Sequence, residues 1–307
     1  MNAFEDLCLL FPGQGSQYPA MIRRLPSSRR TSDIVEEASE TSGLPLARLM
    51  TSGTADELAD PLVAQLSVFA ASAAYLAELS DRGANPTVVA GHSLGEVTAL
   101  YAAGVLAFGD ALRLVDARGR LMAEAARRQP GSMAAIMGMR PQAVEELVAE
   151  LNDGVVVANR NSSRQMVLSG PTEALGRIMD RARDGGAIRV SALPVGGAYH
   201  SPSMVEANTA FRAVVEATTF HPLRLTLVSS VTGDRILDHD SARIGLIDQM
   251  IRPVEWMGVM ATLSRLGVVG CIEVGPGRVL GSLAKSDRSW PRVQTIDQVL
   301  AAERITL

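Results

Sequence analysis

Residues 88–96, which read VVAGHSLGE, constrain the fold of this chain more than any other stretch of its sequence. The short β-branched run predicts a buried strand, and the GxSxG pattern that follows predicts a sharp turn into a helix. Gly91 and Gly95 lack Cβ atoms, so strand and helix can approach closely. Such a turn exposes one hydroxyl at the edge of a sheet, which makes Ser93 the candidate nucleophile. A serine at a helix start can instead be an N-cap, and the pattern alone leaves that alternative open.

The composition is that of a large globular protein. A chain of 307 residues can hold one large α/β domain with a smaller domain inserted. The hydrophobic share of 47% and the charged share of 20% exclude a disordered or fibrous chain. The longest uncharged stretch, residues 61–77, is too short and too polar for a membrane span, and the acidic N-terminus lacks the basic start of a secretory signal. We therefore expect a cytoplasmic protein with no membrane partner.

Residue usage also narrows the chemistry. Four histidines with no pair at metal-ligand spacing predict no metal site. Cys8 and Cys271 lie in apolar, strand-like runs, where a thiol packs as a small hydrophobe. Lys285 is the single lysine, which argues against Schiff-base chemistry and a P-loop. The net charge of −4 argues against a nucleic-acid partner.

The order of the predicted elements divides the chain in two. Residues 131–195 read as strand, helix, strand, strand, helix and strand, which is the ferredoxin-like order. We predict an α/β fold in which residues 1–130 and 196–307 form a large catalytic domain with a parallel sheet. The ferredoxin-like βαββαβ subdomain, residues 131–195, is inserted into it. Further helices are predicted at residues 33–42, 61–79, 110–128, 243–251 and 256–266, and further strands at residues 7–11, 225–229 and 271–274.

Two further residues could act together with Ser93. A serine hydroxyl needs a base, and His200 lies in the loop sequence GGAYHSP, although a loop histidine is often only solvated. Arg118 lies on the predicted helix at residues 110–128. An arginine near the nucleophile would bind a carboxylate through two parallel hydrogen bonds, although most helix arginines are solvated. His92 adjoins Ser93 but points in a different direction, so we expect it to line or support the site.

Seven segments in this order resemble the malonyl-CoA:acyl carrier protein transacylases and the acyltransferase units of polyketide synthases. The resemblance covers nearly the whole chain, and several motifs in one order are far more specific than any one of them. The segments are FPGQGSQ at 11–17, GHSLGE at 91–96, RG at 118–119, the inserted subdomain, AYH at 198–200, PVEW at 253–256 and EVGPG at 273–277.

This resemblance implies an α/β-hydrolase-like large domain and a ping-pong mechanism. Ser93 would attack the thioester and become acylated, with His200 as its base. The main-chain carbonyl of Gln249, rather than an aspartate, would orient the histidine. Coenzyme A leaves first, and the phosphopantetheine thiol of an acyl carrier protein then takes the acyl group. The resemblance implies no metal, no redox cofactor and a monomer.

The resemblance also implies how the substrate is held. The backbone N–H groups of Gln14 and Leu94 would form the oxyanion hole. Arg118 would bind the free carboxylate of a malonyl-type group. Tyr199 stands where the malonyl-selective pattern has phenylalanine and the methylmalonyl-selective pattern has serine, and Gly197 beside it is expected to open space. Malonyl and substituted malonyl groups therefore both remain open.

Charged residues outside these motifs suggest contacts with the carrier. A carrier protein is typically acidic, which favours a basic docking face, and we expect Arg127, Arg128, Arg160 and Arg164 to contribute to it. Arg252 departs from the small or amide residue usual at its position. It could be solvated, or it could meet the coenzyme or the carrier.

Other functions share some of these motifs. A serine thioesterase or acyl hydrolase of the α/β-hydrolase type has the same GxSxG turn, but it places an acidic residue and a histidine late in the chain. An editing acyl hydrolase would be expected to lack Arg118, and a non-catalytic docking module to lack Ser93 or His200. We expect a discrete enzyme that acts in trans, in polyketide or fatty acid biosynthesis, with the departures at Tyr199 and Arg252 favouring the former.

Overall fold

The structure is a computed structural model that describes residues 7–302. Its strands are β1 Leu7–Phe11, β2 Pro86–Gly91, β3 Ser132–Met137, β4 Val156–Ser162, β5 Gln165–Gly170, β6 Arg189–Ala192, β7 Thr226–Val228, β8 Arg235–Ile236, β9 Gly270–Glu273 and β10 Arg292–Thr295. Its helices are α1 Arg29–Ser42, α2 Leu46–Ser52, α3 Pro61–Asp81, α4 Leu94–Ala102, α5 Phe108–Arg128, α6 Pro141–Leu151, α7 Thr172–Asp184, α8 Val205–Glu216, α9 His239–Asp248, α10 Trp256–Arg265, α11 Val279–Ala284 and α12 Ile296–Ala301. Single 3-10 turns lie at Glu57–Ala59 and Pro202–Met204.

The larger sheet has six strands in the order β10-β9-β1-β2-β7-β8, and its pairs are parallel except β7 with β8. Every residue of the central strand β1 is buried, because helices cover both faces of the sheet. In register, Leu9 lies between Val89 on one side and Ile272 on the other. The carboxyl ends of β1, β2 and β9 therefore meet at one edge, where the GxSxG turn and the glycine-rich loop after β1 come together.

Helix α3 is the central helix of the large domain. It begins at Pro61, and the Asp60 side chain caps it by accepting bonds from two backbone N–H groups. By length and composition alone α3 could cross a membrane, but 83% of its most apolar window is buried inside the protein. Its apolar circumference is therefore explained by packing between α1 and α5.

The smaller sheet has four antiparallel strands in the order β4-β5-β3-β6, with α6 and α7 on one face. Its elements follow the chain order βαββαβ, which confirms the predicted ferredoxin-like arrangement. Strand side chains alternate between faces. Ala134 and Ile136 pack against α6 and α7, whereas Met133, Ala135 and Met137 face the large domain.

The large domain contacts the small sheet along strand β4. The backbone of Val254 accepts a bond from the N–H of Arg160 and donates one to the carbonyl of Ala158, each 2.8 Å long. The Arg160 side chain forms ion pairs with Glu145, at 2.8 Å, and Glu255, at 2.7 Å. These contacts fix the segment that follows α9 against the small sheet.

The predicted elements are present, with ends that differ by a few residues, as is usual for helix and strand termini. Two differences matter for the site. Strand β4 continues to Ser162 rather than ending at 158, and α9 ends at Asp248 rather than continuing to 251. Helix α8 was not predicted, although Ala207, Phe211 and Val215 give it a buried face at helical spacing.

Candidate active site

Ser93 lies in a strained turn between β2 and α4, with φ of 52° and ψ of −112°. The flanking glycines allow this turn. A Cβ on Gly91 would lie 1.9 Å from the carbonyl oxygen of Gly95, and a Cβ on Gly95 would lie 2.0 Å from that of Phe11. Ser93 occupies the N-cap position of α4, but its side chain makes no capping hydrogen bond. The N-cap explanation is therefore wrong, and the hydroxyl points into the site.

The Ser93 hydroxyl faces a histidine of defined tautomer. Its Oγ lies 2.8 Å from Nε2 of His200. On the other side of the ring, Nδ1 lies 3.0 Å from the carbonyl oxygen of Gln249 and 2.9 Å from that of Arg252. Both of these atoms can only accept, so Nδ1 carries the proton and Nε2 is free to accept one from serine. The sequence predicted the Gln249 carbonyl here but not that of Arg252, whose side chain is exposed.

His200 is neutral at physiological pH. Burial and, second, the charge of Arg118 lower the pKa of His200 to about 3. His200 is only 4% exposed, and its backbone has a φ of 55°. The adjacent Ser201 hydroxyl donates to the carbonyl of Ala198 at 2.6 Å, which holds the loop in this conformation. A buried neutral imidazole next to a hydroxyl can accept its proton.

Arg118 is a buried cation without an acidic partner. It is 1% exposed, and no ion pair among residues 7–302 includes it. Its Nε donates to Oε1 of Gln249 at 3.2 Å, and one terminal nitrogen donates to Oε1 of Gln65 at 2.6 Å. Burial lowers the pKa of Arg118 to about 10, so it stays charged at neutral pH. Because a buried charge needs a partner, this site is suited to an anionic ligand.

Arg118 also sets the direction of the serine proton. Its second terminal nitrogen donates to Ser93 Oγ at 3.0 Å. This bond occupies a lone pair of Oγ, so the hydroxyl hydrogen is directed at His200. Gln65, which holds the other nitrogen, was not predicted as a site residue. The signal was its amide inside the apolar helix α3, where a polar side chain needs a partner.

Gln249 connects the three principal groups of the site. Its backbone carbonyl faces His200, and its side-chain oxygen accepts from Arg118. Its Nε2 donates to the backbone carbonyl of Ser93 at 2.9 Å and to Oε2 of Glu96 at 3.2 Å. The sequence predicted only the backbone contribution.

The two predicted oxyanion donors lie beside Ser93. Leu94 is the first residue of α4, where a backbone N–H has no acceptor within the helix, and its side chain is buried in the core. Gln14 lines the cavity from the loop after β1. Gly13 brings that loop close to the turn, since a Cβ there would lie 2.5 Å from the carbonyl oxygen of His92. The loop after β1 therefore lies close to the turn before α4, and the roles of the Gln14 and Leu94 N–H groups as oxyanion donors stay a prediction.

These groups open into a cavity of ≈ 310 Å³ between the two sheets. The large domain supplies its polar side, and alternate residues of the small sheet supply an opposite, mostly apolar wall. Two asparagines on β4 also face it. The lining residues from the small sheet and the segment that follows β6 are Met133, Ala135, Met137, Asn159, Asn161, Gln165, Val167, Ser191, Leu193 and Val195.

Tyr199 lines the cavity as predicted, but Gly197 does not open space beside it. Burial raises the pKa of Tyr199 to about 12, so the phenol remains protonated. A Cβ on Gly197 would lie 2.7 Å from Cβ of Ala126 and 3.0 Å from the Tyr199 ring. The expectation of extra room at Gly197 is wrong, because Ala126 and the Tyr199 ring already fill the space that a side chain there would occupy.

His92 contacts residues that surround the site, whereas His200 is the histidine within hydrogen-bond distance of the Ser93 hydroxyl. The Nε2 of His92 lies 2.9 Å from Oδ1 of Asn161, whose amide donates to Gln165 at 2.8 Å. The ring packs against Trp256, with centroids 5.4 Å apart. Asn161 was not predicted because the predicted strand ended three residues before it.

The four surface arginines expected to bind a carrier are not equivalent. Arg128 forms ion pairs with glutamates of α5 and α8, and Arg160 pairs with glutamates of α6 and of the segment before α10. Arg127 and Arg164 are exposed and form no ion pair within the described residues 7–302. Arg128 and Arg160 are therefore paired within the protein, whereas the contribution of all four arginines to carrier docking stays a prediction.

Across residues 7–302 no group of three or more His, Cys, Asp and Glu side chains is arranged to hold a metal ion. Cys8 and Cys271 are free and buried, and they lie opposite each other on β1 and β9.

Comparison with known proteins places this site in a family. Residues 8–276 match the acyl transferase domain. The chain is 36% identical over 288 residues to the malonyl CoA-acyl carrier protein transacylase of Bacillus subtilis (strain 168), covering 92% of this chain and 90% of that protein. It is 37% identical over 288 residues to the polyketide biosynthesis protein ThaF of Burkholderia thailandensis, covering 93% of this chain and 24% of that protein.

A solved structure agrees over nearly the full length. It is a malonyl-transacylase in complex with the acyl carrier protein of a type II polyketide synthase, with a TM-score of 0.91 and 31% identity, covering 96% of this chain and 98% of that chain. The sequence matches and the structural match agree with the geometry of Ser93, His200 and Arg118. The chain therefore belongs to the acyl transferase domain family.

Proposed function

We propose that the protein is a malonyl-CoA:acyl carrier protein S-acyltransferase that works through an acyl-Ser93 intermediate. One observation carries the proposal: the buried guanidinium of Arg118, which has no acidic partner among the described residues, lies 3.0 Å from Ser93 Oγ. Malonyl-CoA is a thioester with a carboxylate two bonds from its reacting carbonyl carbon. Similarity to a malonyl CoA-acyl carrier protein transacylase and to a malonyl-transacylase in complex with an acyl carrier protein supports the same substrates.

The first half-reaction forms the acyl-enzyme. Ser93 Oγ bonds to the thioester carbonyl carbon while its proton passes to Nε2 of His200. The carbonyl oxygen becomes an oxyanion, which the backbone N–H groups of Gln14 and Leu94 stabilise. The tetrahedral intermediate then collapses, the carbon–sulfur bond breaks, and His200 returns its proton to the sulfur of coenzyme A.

The second half-reaction runs the same steps in reverse with a new thiol. His200 removes the proton of the carrier's phosphopantetheine thiol, and the sulfur attacks the acyl-serine carbonyl. The bond to Ser93 Oγ breaks, and the serine regains its proton from His200. Since both half-reactions use one base and one oxyanion site, atoms and protons balance without a cofactor, and we propose that none is needed.

Arg118 supplies the selectivity for a carboxylate. Two parallel, charge-assisted hydrogen bonds from a rigid guanidinium fix both the position and the rotation of the malonyl group. An acyl-CoA that lacks the carboxylate, such as acetyl-CoA, leaves the Arg118 cation without an ionic partner, as it is in the enzyme without substrate. The enzyme should therefore acylate Ser93 faster from malonyl-CoA than from acetyl-CoA.

We place the protein in the cytoplasm, as one of the acyltransferases of fatty acid or polyketide biosynthesis. A serine thioesterase is not favoured, because two backbone carbonyls rather than a carboxylate orient His200 and because a buried arginine contacts the nucleophile. An extender larger than malonyl gains no support from Gly197, whose surroundings are filled.

The test is intact-protein mass spectrometry after brief exposure to equal amounts of malonyl-CoA, methylmalonyl-CoA and acetyl-CoA. We expect a malonyl adduct on the wild type, its loss in Ser93→Ala, and its transfer to a phosphopantetheinylated carrier protein added afterwards. Release of free malonate with no adduct and no transfer would instead identify a hydrolase.

A further inference from the structure

Glu96 is a buried carboxylate three residues after the nucleophile, and no step of the mechanism above uses it. It is 1% exposed, and burial raises its pKa. Four donors surround it. They are Ser229 Oγ at 3.1 Å from Oε1, the Ser230 N–H at 3.2 Å from Oε2, the Ser230 hydroxyl on Oε2, and Gln249 Nε2 at 3.2 Å from Oε2.

The Gln249 amide separates this carboxylate from Arg118. Its oxygen accepts from Arg118 Nε, and its nitrogen donates to Glu96 and to the Ser93 carbonyl. A side-chain amide can be placed in either of two orientations. Reversing this one would set its NH₂ against the Arg118 N–H and its oxygen against the Glu96 carboxylate. Glu96 therefore favours the orientation in which Arg118 receives an acceptor.

The separation also preserves the charge of the guanidinium. A carboxylate in direct contact with Arg118 would form a buried ion pair and compete with any anionic substrate. An amide oxygen supports the guanidinium without cancelling its charge. Glu96 thus reaches Arg118 only through a neutral group.

We propose that Glu96 is a positioning residue for substrate selectivity: through the amide of Gln249 it holds Arg118 in place and leaves its charge available to the malonyl carboxylate. This inference rests on the proposed function and specifies which residue prepares the same site. It concerns binding of the carboxylate and adds no bond-making step.

The experiment measures acyl-Ser93 formation from malonyl-CoA and from acetyl-CoA in the wild type, Glu96→Ala and Glu96→Gln. Loss of the carboxylate should lower the malonyl-to-acetyl rate ratio by about tenfold. This factor corresponds to the net free energy of about one hydrogen bond to a charged group. Glu96→Gln should restore most of the ratio, because its amide oxygen can still accept from Gln249. On an Arg118→Met background, Glu96→Ala should lower the ratio no further.

The matched control is Glu273→Gln. Glu273 is also a buried carboxylate with a pKa raised by burial, but it accepts only backbone N–H bonds at the start of α11. This variant should lose thermal stability and keep the malonyl-to-acetyl ratio.

A second variant, Gln249→Met, keeps the backbone carbonyl for His200 and removes the amide, so it should lower the ratio as Glu96→Ala does.

The outcomes separate this inference from the proposed function. If the wild type forms no malonyl adduct, the proposed function itself fails. If the wild type forms the adduct while Glu96→Ala and Gln249→Met keep the wild-type ratio, Glu96 is only structural and the inference is overturned. Should Glu96→Ala not fold, an unchanged ratio in Gln249→Met still overturns the inference, because that variant removes the amide through which Glu96 acts.

Discussion

Two arginines of this protein show how the surroundings of a cation decide its use. Arg118, at the cavity floor, is 1% exposed and contacts only uncharged oxygen atoms. Arg160, on strand β4, lies between Glu145 and Glu255, with its side chain 31% exposed. The charge of Arg160 is balanced inside the protein, and that of Arg118 is not. A buried cation left without a counter-ion indicates binding, and a balanced one indicates structure.

The energetics of the two sites differ in the same sense. Burying an uncompensated charge costs stability, which the fold tolerates at Arg118 because the carboxylate of a substrate can compensate it. The ion pairs of Arg160 are partly screened by water, since its glutamates are 41% and 27% exposed. Arg160 therefore adds a modest stabilisation and fixes the segment that carries the Arg252 carbonyl.

Arg118→Met should have the largest effect of any change that tests this contrast. It removes the two charge-assisted hydrogen bonds that we propose Arg118 makes to the malonyl carboxylate, so kcat/KM for malonyl-CoA should fall by about 10³-fold. The rate with acetyl-CoA should change far less. The melting temperature should stay the same or rise, because a buried charge is replaced by an apolar side chain of similar length. Steady-state kinetics with both donors and calorimetry measure this, and equal losses with both donors would contradict it.

Arg160→Met should show the opposite pattern. It leaves two glutamates without their partner, so the free energy of unfolding should fall by about 1–2 kcal/mol, and the malonyl-to-acetyl ratio should not change. Chemical denaturation measures the first quantity and competition acylation the second. Arg160→Met combined with Glu255→Gln should recover part of the stability. A changed substrate ratio at wild-type stability would remove the distinction between the two arginines.

The sequence predicted the site residues that lie in recognisable motifs. It did not predict those whose roles depend on tertiary contacts. Ser93 and His200 lie in glycine-bounded motifs, and the structure brings them within 2.8 Å. Gln65 and Asn161 lie in ordinary helix and strand patterns, and their roles depend on partners 53 and 69 residues away. Arg160 resembled a surface cation because no sequence signal reveals two glutamates from distant elements. Spacing along the chain reports local geometry, whereas the balance of a charge depends on the whole fold.

The pH dependence of acylation should distinguish the two arginines again, by a smaller amount. His200 acts as a base only when neutral, and its pKa of about 3 keeps it neutral throughout the ordinary range. Since the Arg118 charge is the second cause of that low value, Arg118→Met should raise the pKa of His200. The acid limb of the acetyl-CoA rate should therefore move to higher pH. Arg160→Met, which removes none of the charges that act on His200, should leave the limb in place.

The same titration affects stability. The unfolded chain has an ordinary histidine pKa near 6.5, so below that pH the unfolded state binds a proton that folded His200 does not. The free energy of unfolding should therefore decrease as the pH falls from about 6.5 toward 3. Arg118→Met should lessen this decrease, and denaturation curves at several pH values measure it. A decrease identical in the two proteins would show that the Arg118 charge does not act on His200.

The smallest effects are expected from arginines on the outer surface. These too can be compared as residues without an ion pair and residues that glutamates already balance. Arg127 and Arg164 form no ion pair among the described residues, whereas two glutamates already balance Arg128. Reversing the charge of Arg127 or Arg164 to glutamate should raise the KM for an acidic carrier about three- to tenfold at low salt, and reversing Arg128 should raise it less. The rate of Ser93 acylation from malonyl-CoA should remain that of the wild type in all three variants. Because exposed charges are screened, about 0.5 M salt should remove the difference, and equal KM values at low salt would show that the carrier docks elsewhere.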